Sequence, residues 1–402
     1  MNYTEHFETL VKEQLERVER MKNAPAAPDF ASMDKVVIGA IDGDGIGPII
    51  MDSCREILNK LLAEEIAAGK IEIRTIKGLT IENRVEKLQA VPDDVLAEIK
   101  ECDLLLKGPT MTPGKNDDLP NIESANVKLR KELDLFANVR PVVIPEKGID
   151  WMFFRENTEG EYALGNRGVD ISDDISMDFK VTTTLGTQRL ARAAFEHAKK
   201  NGNKNVTIVT KANIMKKTDG KFLELCYEMA KEYPEIKTND RYVDIMSANL
   251  INDMVNRDFN VFILPNLYGD IITDEAAQMQ GGVGTAGSAN LGSRYAMFEA
   301  IHGSAERMIK EGRGQFANPA SICRAAVMML RHMGAMAKAD QLEKALDAAA
   351  ENVHIIRDGR GETAADFTKF VLEALYQSPG DVTRTDCFIR FMEKRKCLNL
   401  QK

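Results

Sequence analysis

Cysteine is sparse and scattered in this chain: Cys54, Cys102, Cys226, Cys323, Cys387 and Cys397 form no CxxC pair. That spacing excludes a zinc ribbon and a dense disulfide framework, and leaves a reducing, cytoplasmic setting as the expectation. No apolar run approaches the ~20 residues that a membrane-spanning helix needs, so no membrane partner is expected. Positive charge is in deficit: 53 Lys and Arg stand against 62 Asp and Glu, a formal net charge of −9. Such a balance disfavours general binding to nucleic acid or to an anionic membrane surface, while leaving room for local basic pockets. Internal repeats and low-complexity tracts are missing as well.

The N-terminal stretch MNYTEHFETLVKEQLERVERMKNAPAAPDF has no secretory character, and it is too rich in glutamate for a mitochondrial transit peptide. Instead, Phe7, Leu10, Val11, Leu15, Val18 and Met21 recur at three- and four-residue steps. This pattern predicts an amphipathic helix within a 1–30 extension that breaks at NAPAAPD. Such a helix is expected to pack on the body of the protein or at a subunit interface.

The remaining composition is that of a globular protein, 44% hydrophobic and 29% charged. At 402 residues the chain can form one large two-lobed domain or two domains. Short β-rich apolar runs at 35–41, 104–108, 151–155, 206–210 and 261–265 alternate with helical patterns around 48–68, 187–201, 217–233, 247–257, 319–336 and 364–377. Alternation of this kind predicts an α/β fold with parallel pairing. The stretch 158–183 breaks the rhythm with short β-like pieces and turn residues, and predicts a strand-rich excursion. No role is legible in the tail after Ser378.

GDGIGP (43–48) forms a tight turn that opens a helix, but Pro48 stands where a dinucleotide fingerprint needs its last glycine. An ordinary Rossmann site is therefore not implied. In NLYGDIITDEAAQM (266–279), Asp270 and Asp274 follow an Asn266–Gly269 turn and fall on one face of a starting helix. One reading is favourable charge at the positive end of that helix. The other is a pair of hard oxygen ligands for Mg2+ or Mn2+, and mutual repulsion of two acids on one face counts against the first. Asp244, ahead of another predicted helix, reads by itself as a cap.

Ser124, Asn126, Arg130 and Arg140 space small polar groups and two guanidiniums along SANVKLRKELDLFANVRP (124–141). Singly, an arginine is usually a solvated residue. Arg155, however, follows the apolar run WMFF and needs an anion, buried or borne by a ligand. Guanidinium forks grip carboxylates, so three of them point to a polyanionic acid substrate. Lys211 ends the apolar strand VTIVT, where a partly desolvated lysine can serve as acid or base, or can simply reach solvent. HGSA (302–305) offers close backbone approach to a ligand and is weak alone.

Taken in order, GDGIGP, KGPTMTP, LRKELDLFANVRP, RENTEGEY, TKANIMKKTDG, NLYGDIITDEAAQMQGGVGTAGSANLG and EAIHGSAERM resemble the isocitrate and isopropylmalate dehydrogenases, metal-dependent decarboxylating dehydrogenases, over about residues 35–377. The resemblance implies their two-lobed α/β fold, which is not an ordinary Rossmann fold. It places a large cofactor-side lobe at 31–135 and 282–378 and a small, dimer-forming lobe at 136–157 and 184–281. A strand-rich clasp falls at 158–183 and a C-terminal tail at 379–402. It implies a homodimer with shared active sites, in which Asp270 and Asp274 of one chain hold Mg2+ or Mn2+ while Lys211 and Asp244 come from its neighbour. Lys211 would help take the hydroxyl proton and Tyr162 would deliver one to the enol carbon. Ser124, Asn126, Arg130, Arg140 and Arg155 would bind substrate, and Thr112, His302, Gly303, Ser304, Ala305, Arg307 and Asn318 would meet the cofactor.

Within that resemblance, the S-x-N-x-x-x-R pattern favours isocitrate, because isopropylmalate enzymes present apolar residues at the first two of those places. A hydroxyl and an amide suit a carboxylate better than a branched alkyl group. 3-Isopropylmalate, and homoisocitrate, one methylene longer, stay alternatives. The nicotinamide is NAD by a small margin over NADP. Arg307 stands where NADP forms carry a basic residue, but Ala365 replaces their tyrosine, with Lys369 as a partial stand-in. A non-catalytic regulatory subunit is the reading of another class. Such chains usually lose part of the Tyr162, Lys211, Asp244, Asp270 and Asp274 set, which is complete here.

Overall fold

The computed structural model describes residues 2–376, apart from 115–117, 166, 283–285 and 357. The expected tail at 379–402 lies outside the described residues. Twelve strands position the site: β1 (Val36–Ile41), β2 (Ile71–Ile76), β3 (Leu104–Lys107), β4 (Ala137–Ile144), β5 (Ile149–Glu156), β6 (Val169–Ser172), β7 (Ile175–Met177), β8 (Asn205–Thr210), β9 (Lys237–Tyr242), β10 (Val261–Leu264), β11 (Gly287–Leu291) and β12 (Ala296–Ala300). All but β6 and β7 join one sheet, ordered β2-β1-β3-β12-β11-β4-β5-β10-β8-β9. The four-residue strands β3 and β10 are buried at every position, as expected for apolar strands covered on both faces. Helices including Gly47–Leu61, Thr184–Lys200 and Ala320–His332 pack on this sheet, and one apolar cluster joins Ile50, Leu58, Phe195, Phe298 and Leu330.

The pairing is not uniformly parallel, as alternation alone predicted. β11 runs antiparallel to both β12 and β4, and β4 runs antiparallel to β5. For β4 and β5 the reason is loop length. Only Pro145–Lys147 and Gly148 separate β4 from β5, with Gly148 left-handed at φ 66°. A parallel crossover would need a dozen or more residues there. The helix expected at 247–257 instead runs Val243–Leu250, followed by a short 3-10 turn at Asn256–Asp258. The Asn256 amide caps Leu250 O at 3.1 Å and closes the helix early.

The excursion at 158–183 is strand-rich, as its composition suggested. β6 and β7 form an antiparallel hairpin, and Gly160 bridges to Val181 at its base. The N-terminal helix spans Tyr3–Lys22 and is capped by Asn2, whose Oδ1 accepts from Thr4 N at 3.2 Å. Of its six periodic apolar residues, only Leu10 and Met21 are buried.

Candidate active site

The acid-bearing helix starts earlier than its sequence suggested. It runs Asn266–Met279, so the Asn266–Gly269 turn is its own first turn, and that turn carries no acid. Asp270 and Asp274 lie beyond the reach of the helix-end dipole, which removes the capping explanation. Arginines from the two central antiparallel strands hold them instead. Arg155 of β5 pairs through Nη1 with Asp270, while its Nε and Nη2 donate to Asn266 Oδ1 at 3.1 and 2.7 Å. Arg140 of β4 donates to Asp274 Oδ1 and to Thr273 Oγ1, both at 2.8 Å. A Cβ on Gly269 would collide with Arg155 Cγ, so the missing side chain lets Arg155 pass beneath the helix.

Tyr162 O–H donates to Asp270 Oδ2 at 3.0 Å. Burial, and then the Asp270 carboxylate, push the phenol above its ordinary range, so it keeps its proton. Burial alone would raise Asp270, but Arg155, the Tyr162 hydroxyl and Arg140 outweigh it and hold the carboxylate below its ordinary range.

A polar stripe crosses the apolar sheet beneath these groups. Lys107 of β3 stands opposite Glu299 of β12, and Asn138 of β4 stands opposite both Asn290 of β11 and Arg155 of β5. Asn290 Nδ2 donates to Glu299 Oε1 at 2.8 Å, and Asn138 Nδ2 donates to Asn290 Oδ1 at 3.0 Å and to Ser288 Oγ at 2.8 Å. Arg130 reaches Glu299 Oε1 at 3.4 Å. Burial opposes ionisation of Glu299, yet Lys107 and Arg130 hold its carboxyl down at about 2. Sequence reading missed Lys107, Asn138, Ser288, Asn290 and Glu299. The available signal was one or two polar residues set in otherwise apolar strands.

Ser288 and Glu299 of this stripe reach a cavity of about 380 Å3. Ser124, Asn126, Arg130, Arg140, Arg155, Tyr162, Asp270, Asp274, His302 and Gly303 all face it, with Thr110, Ser288 and Glu299. Thr110 Oγ1 donates to Asn126 Oδ1 at 3.2 Å. Lys211 and Asp244 do not face it in this chain. They pair with each other, Nζ to Oδ1 at 2.5 Å, away from the cavity. Among the described residues no three His, Cys, Asp or Glu side chains of the chain converge as a metal site. The cavity thus offers two carboxylates on one helical face.

A sequence model of the isocitrate/isopropylmalate dehydrogenase family matches residues 37–374. The chain belongs to that family. A protein named probable isocitrate dehydrogenase [NAD] subunit alpha, mitochondrial, from Caenorhabditis elegans is 36% identical over 83% of this chain and 88% of its own length. A 3-isopropylmalate dehydrogenase from Archaeoglobus fulgidus is 38% identical over 78% and 91%. The crystal structure of isocitrate dehydrogenase from Methylococcus capsulatus superposes with a TM-score of 0.73 at 34% identity, covering 85% of this chain and all of that one.

In this member of the isocitrate/isopropylmalate dehydrogenase family, GDGIGP folds against HGSA. Ile46 N donates to Ser304 O at 2.9 Å, and Asp44 accepts from Ile81 N and Met111 N, both at 2.7 Å. Ala305 is left-handed at φ 47° and starts the short helix Glu306–Lys310. Asn318 Oδ1 accepts from Ala320 N at 2.9 Å at the head of the helix Ala320–His332. Arg307 is exposed and donates to Glu311 Oε1 at 2.6 Å. Thr112 faces a second, wider cleft beside the N-terminal helix, not the small cavity.

Proposed function

We propose that the protein catalyses metal-dependent oxidative decarboxylation of isocitrate to 2-oxoglutarate with reduction of NAD. One observation carries this reading. Arg130, Arg140, Arg155, Tyr162, Asp270 and Asp274 converge on one cavity, whose wall also presents Thr110, Ser124 and Asn126 beside Val127, Ala300 and Ile301. Three guanidiniums match a tricarboxylate, and a hydroxyl-and-amide wall would leave its polar groups unpaired against an isopropyl substituent. Identity alone does not separate the substrates, because the isopropylmalate relative is as similar as the isocitrate relative.

Asp270 and Asp274 suit Mg2+ or Mn2+, hard cations that prefer carboxylate oxygens. Such an ion, when bound, supplies Lewis acidity toward the substrate oxygens. The nicotinamide supplies the hydride acceptor. Arg130, Arg140 and Arg155 then orient the carboxylates, and Tyr162, which keeps its proton, delivers it to the carbon that loses CO2. Lys211 takes the hydroxyl proton from across a subunit interface. Ile214, Met215, Ile245 and Ile271, neighbours of Lys211, Asp244 and Asp270, are exposed in the single chain, as are Ile175 and Met177 of the hairpin. A second copy covering these residues would bring its Lys211 and Asp244 to the cavity, and this incompleteness supports a homodimer.

NAD is favoured over NADP because Arg307 is already paired with Glu311, which also binds Arg313. That pairing leaves the Arg307 guanidinium less open to a 2′-phosphate. Assays of the purified chain with isocitrate, homoisocitrate and 3-isopropylmalate, each with Mg2+ or Mn2+ and each nicotinamide, test the reading. NADH formation from isocitrate is expected. Turnover confined to the alkylmalate would overturn the substrate assignment.

A further inference from the structure

The N-terminal helix Tyr3–Lys22 lies outside the stretch matched by the family, residues 37–374, yet it reaches a buried acid behind the site. Glu159 is 2% exposed, and Arg17 Nη2 meets its Oε1 at 2.5 Å. Thr183 donates to the same carboxylate from its hydroxyl and, at 2.8 Å, from its backbone N–H. The space is built for this acid, since a Cβ on Gly186 would collide with Glu159 Oε1. A carboxylate withdrawn from water needs such a cation.

From Glu159 a chain of hydrogen bonds leads into the cavity. Asn266 Nδ2 donates to the backbone O of Glu159 at 3.1 Å and stands 3.5 Å from Glu156 Oε2. These acceptors fix which way the Asn266 amide faces. Its Oδ1 is therefore turned to Arg155, where it takes two of the guanidinium's hydrogen bonds before the third goes to Asp270. Glu159 N also donates to Glu156 Oε2, at 2.5 Å, so the Glu156–Glu159 turn is one rigid unit carrying two buried acids. The helix is tied to the same neighbourhood at other points. His6 Nε2 meets Arg167 O at 3.0 Å, Arg167 pairs with Glu13, and the Phe7 and Phe179 rings lie 5.9 Å apart.

We propose that Arg17 is a positioning residue for the active site: by neutralising buried Glu159 it fixes the Glu159–Asn266–Arg155 chain that holds the Arg155 guanidinium in the cavity. Arg17 touches no substrate in this scheme. Its effect is on where Arg155 points, so it acts on substrate binding more than on the chemical step. This rests on the reading of Arg155 as a carboxylate clamp.

The test compares R17M, R17K, E159Q and R17M/E159Q in the full chain. R17M is expected to raise KM for isocitrate by about tenfold with kcat within about twofold, the scale of one charge-assisted hydrogen bond. R17K is expected to recover most of that loss. R17M/E159Q is expected to recover as well, because it removes the unpaired charge while still lacking the Arg17 tether. A double variant as impaired as R17M would show that Arg17 is only a tether, and kinetics of R17M equal to wild type would also overturn the proposal. Hydrogen exchange read by mass spectrometry at residues 264–270 separates this inference from the substrate assignment. R17M should speed exchange there whether or not isocitrate is the substrate. Unchanged exchange at those amides would sink the positioning chain even if isocitrate turnover stands.

Discussion

Lys107 and Glu299 stand in register on the parallel strands β3 and β12, Nζ 3.4 Å from Oε2, with the lysine fully enclosed. Burial pulls the Lys107 ammonium below its ordinary range, while Glu299 pulls it back up. The enclosed lysine is tolerable because Glu299 faces it, and Glu299 because Lys107 and Arg130 both do. E299Q should therefore cost on the order of 3–5 kcal/mol, because it leaves Lys107 and Arg130 facing a neutral amide in the interior. K107M/E299M should cost less than E299Q alone, since no lone charge is left at that pair. Denaturant unfolding of both variants measures the difference. The Glu299 carboxyl, held at about 2, adds stability that is full above the unfolded value near 4.5 and is lost as pH falls from there toward 2. An E299Q loss under about 1 kcal/mol at pH 7 would mean the pair is not stabilising.

Glu156 behaves in the opposite sense. Burial, and then the neighbouring Glu159, push its carboxyl up to about 7 against the bonds it accepts from Thr158 and Glu159. The folded protein then binds a proton that the unfolded chain releases near 4.5, so this group lowers stability as pH rises from about 4.5 to about 7. The stability of E156Q minus that of wild type should rise by on the order of 3 kcal/mol across that window, whatever constant offset the lost hydrogen bonds add. Unfolding series at pH 4.5, 6 and 7.5 give the slope. A flat difference would place an ionised Glu156 in the fold throughout.

The sequence was legible where a single segment carries its own evidence. β1, β3, β8 and β10 stood out as short β-rich apolar runs, and Arg155 stood out because WMFF leaves it nowhere to be solvated. The polar stripe was not legible. Asn138, Asn290 and Glu299 look like scattered polar residues in apolar strands, and only sheet register across some 150 positions brings Asn138 to Asn290. β9, KTNDRY, escaped detection because an edge strand alternates without a buried face, with charges that discourage pairing. The helix start at Asn266 was misplaced because Asn-x-x-Gly has turn chemistry, and packing over Arg155 overrode it.

Cofactor choice should respond to Glu311. It pairs with both Arg307 and Arg313 and keeps Arg307 from offering an open charge. E311Q should raise kcat/KM for NADP by about fivefold or more while changing that for NAD by less than about twofold, the effect of removing one repulsive partner near a phosphate. R307A should leave NAD kinetics nearly unchanged. Steady-state kinetics with both nicotinamides read this directly. If wild type already prefers NADP, the assignment of NAD fails, and a large NAD defect in R307A would move Arg307 to the ribose or pyrophosphate.

Subunit sharing makes the sharpest demand on the arrangement. Lys211 and Asp244 pair at 2.5 Å outside the cavity, whereas Asp270 faces it. K211A and D270N should each reduce kcat by about 10²-fold or more while leaving the dimer intact, since each removes a group at the reacting centre and not a packing contact. Mixed and allowed to exchange, the two inactive chains should form hybrids with one whole site, built from Asp270 of one and Lys211 of the other. With equal amounts and random exchange, half the dimers are hybrids, so activity should return to about one quarter of wild type. Sedimentation and a mass-tagged partner establish that exchange has occurred. Hybrids that form and stay inactive would put Lys211 and Asp270 of the same chain in one site, which requires the Lys211–Asp244 pair to move to the cavity without a second copy.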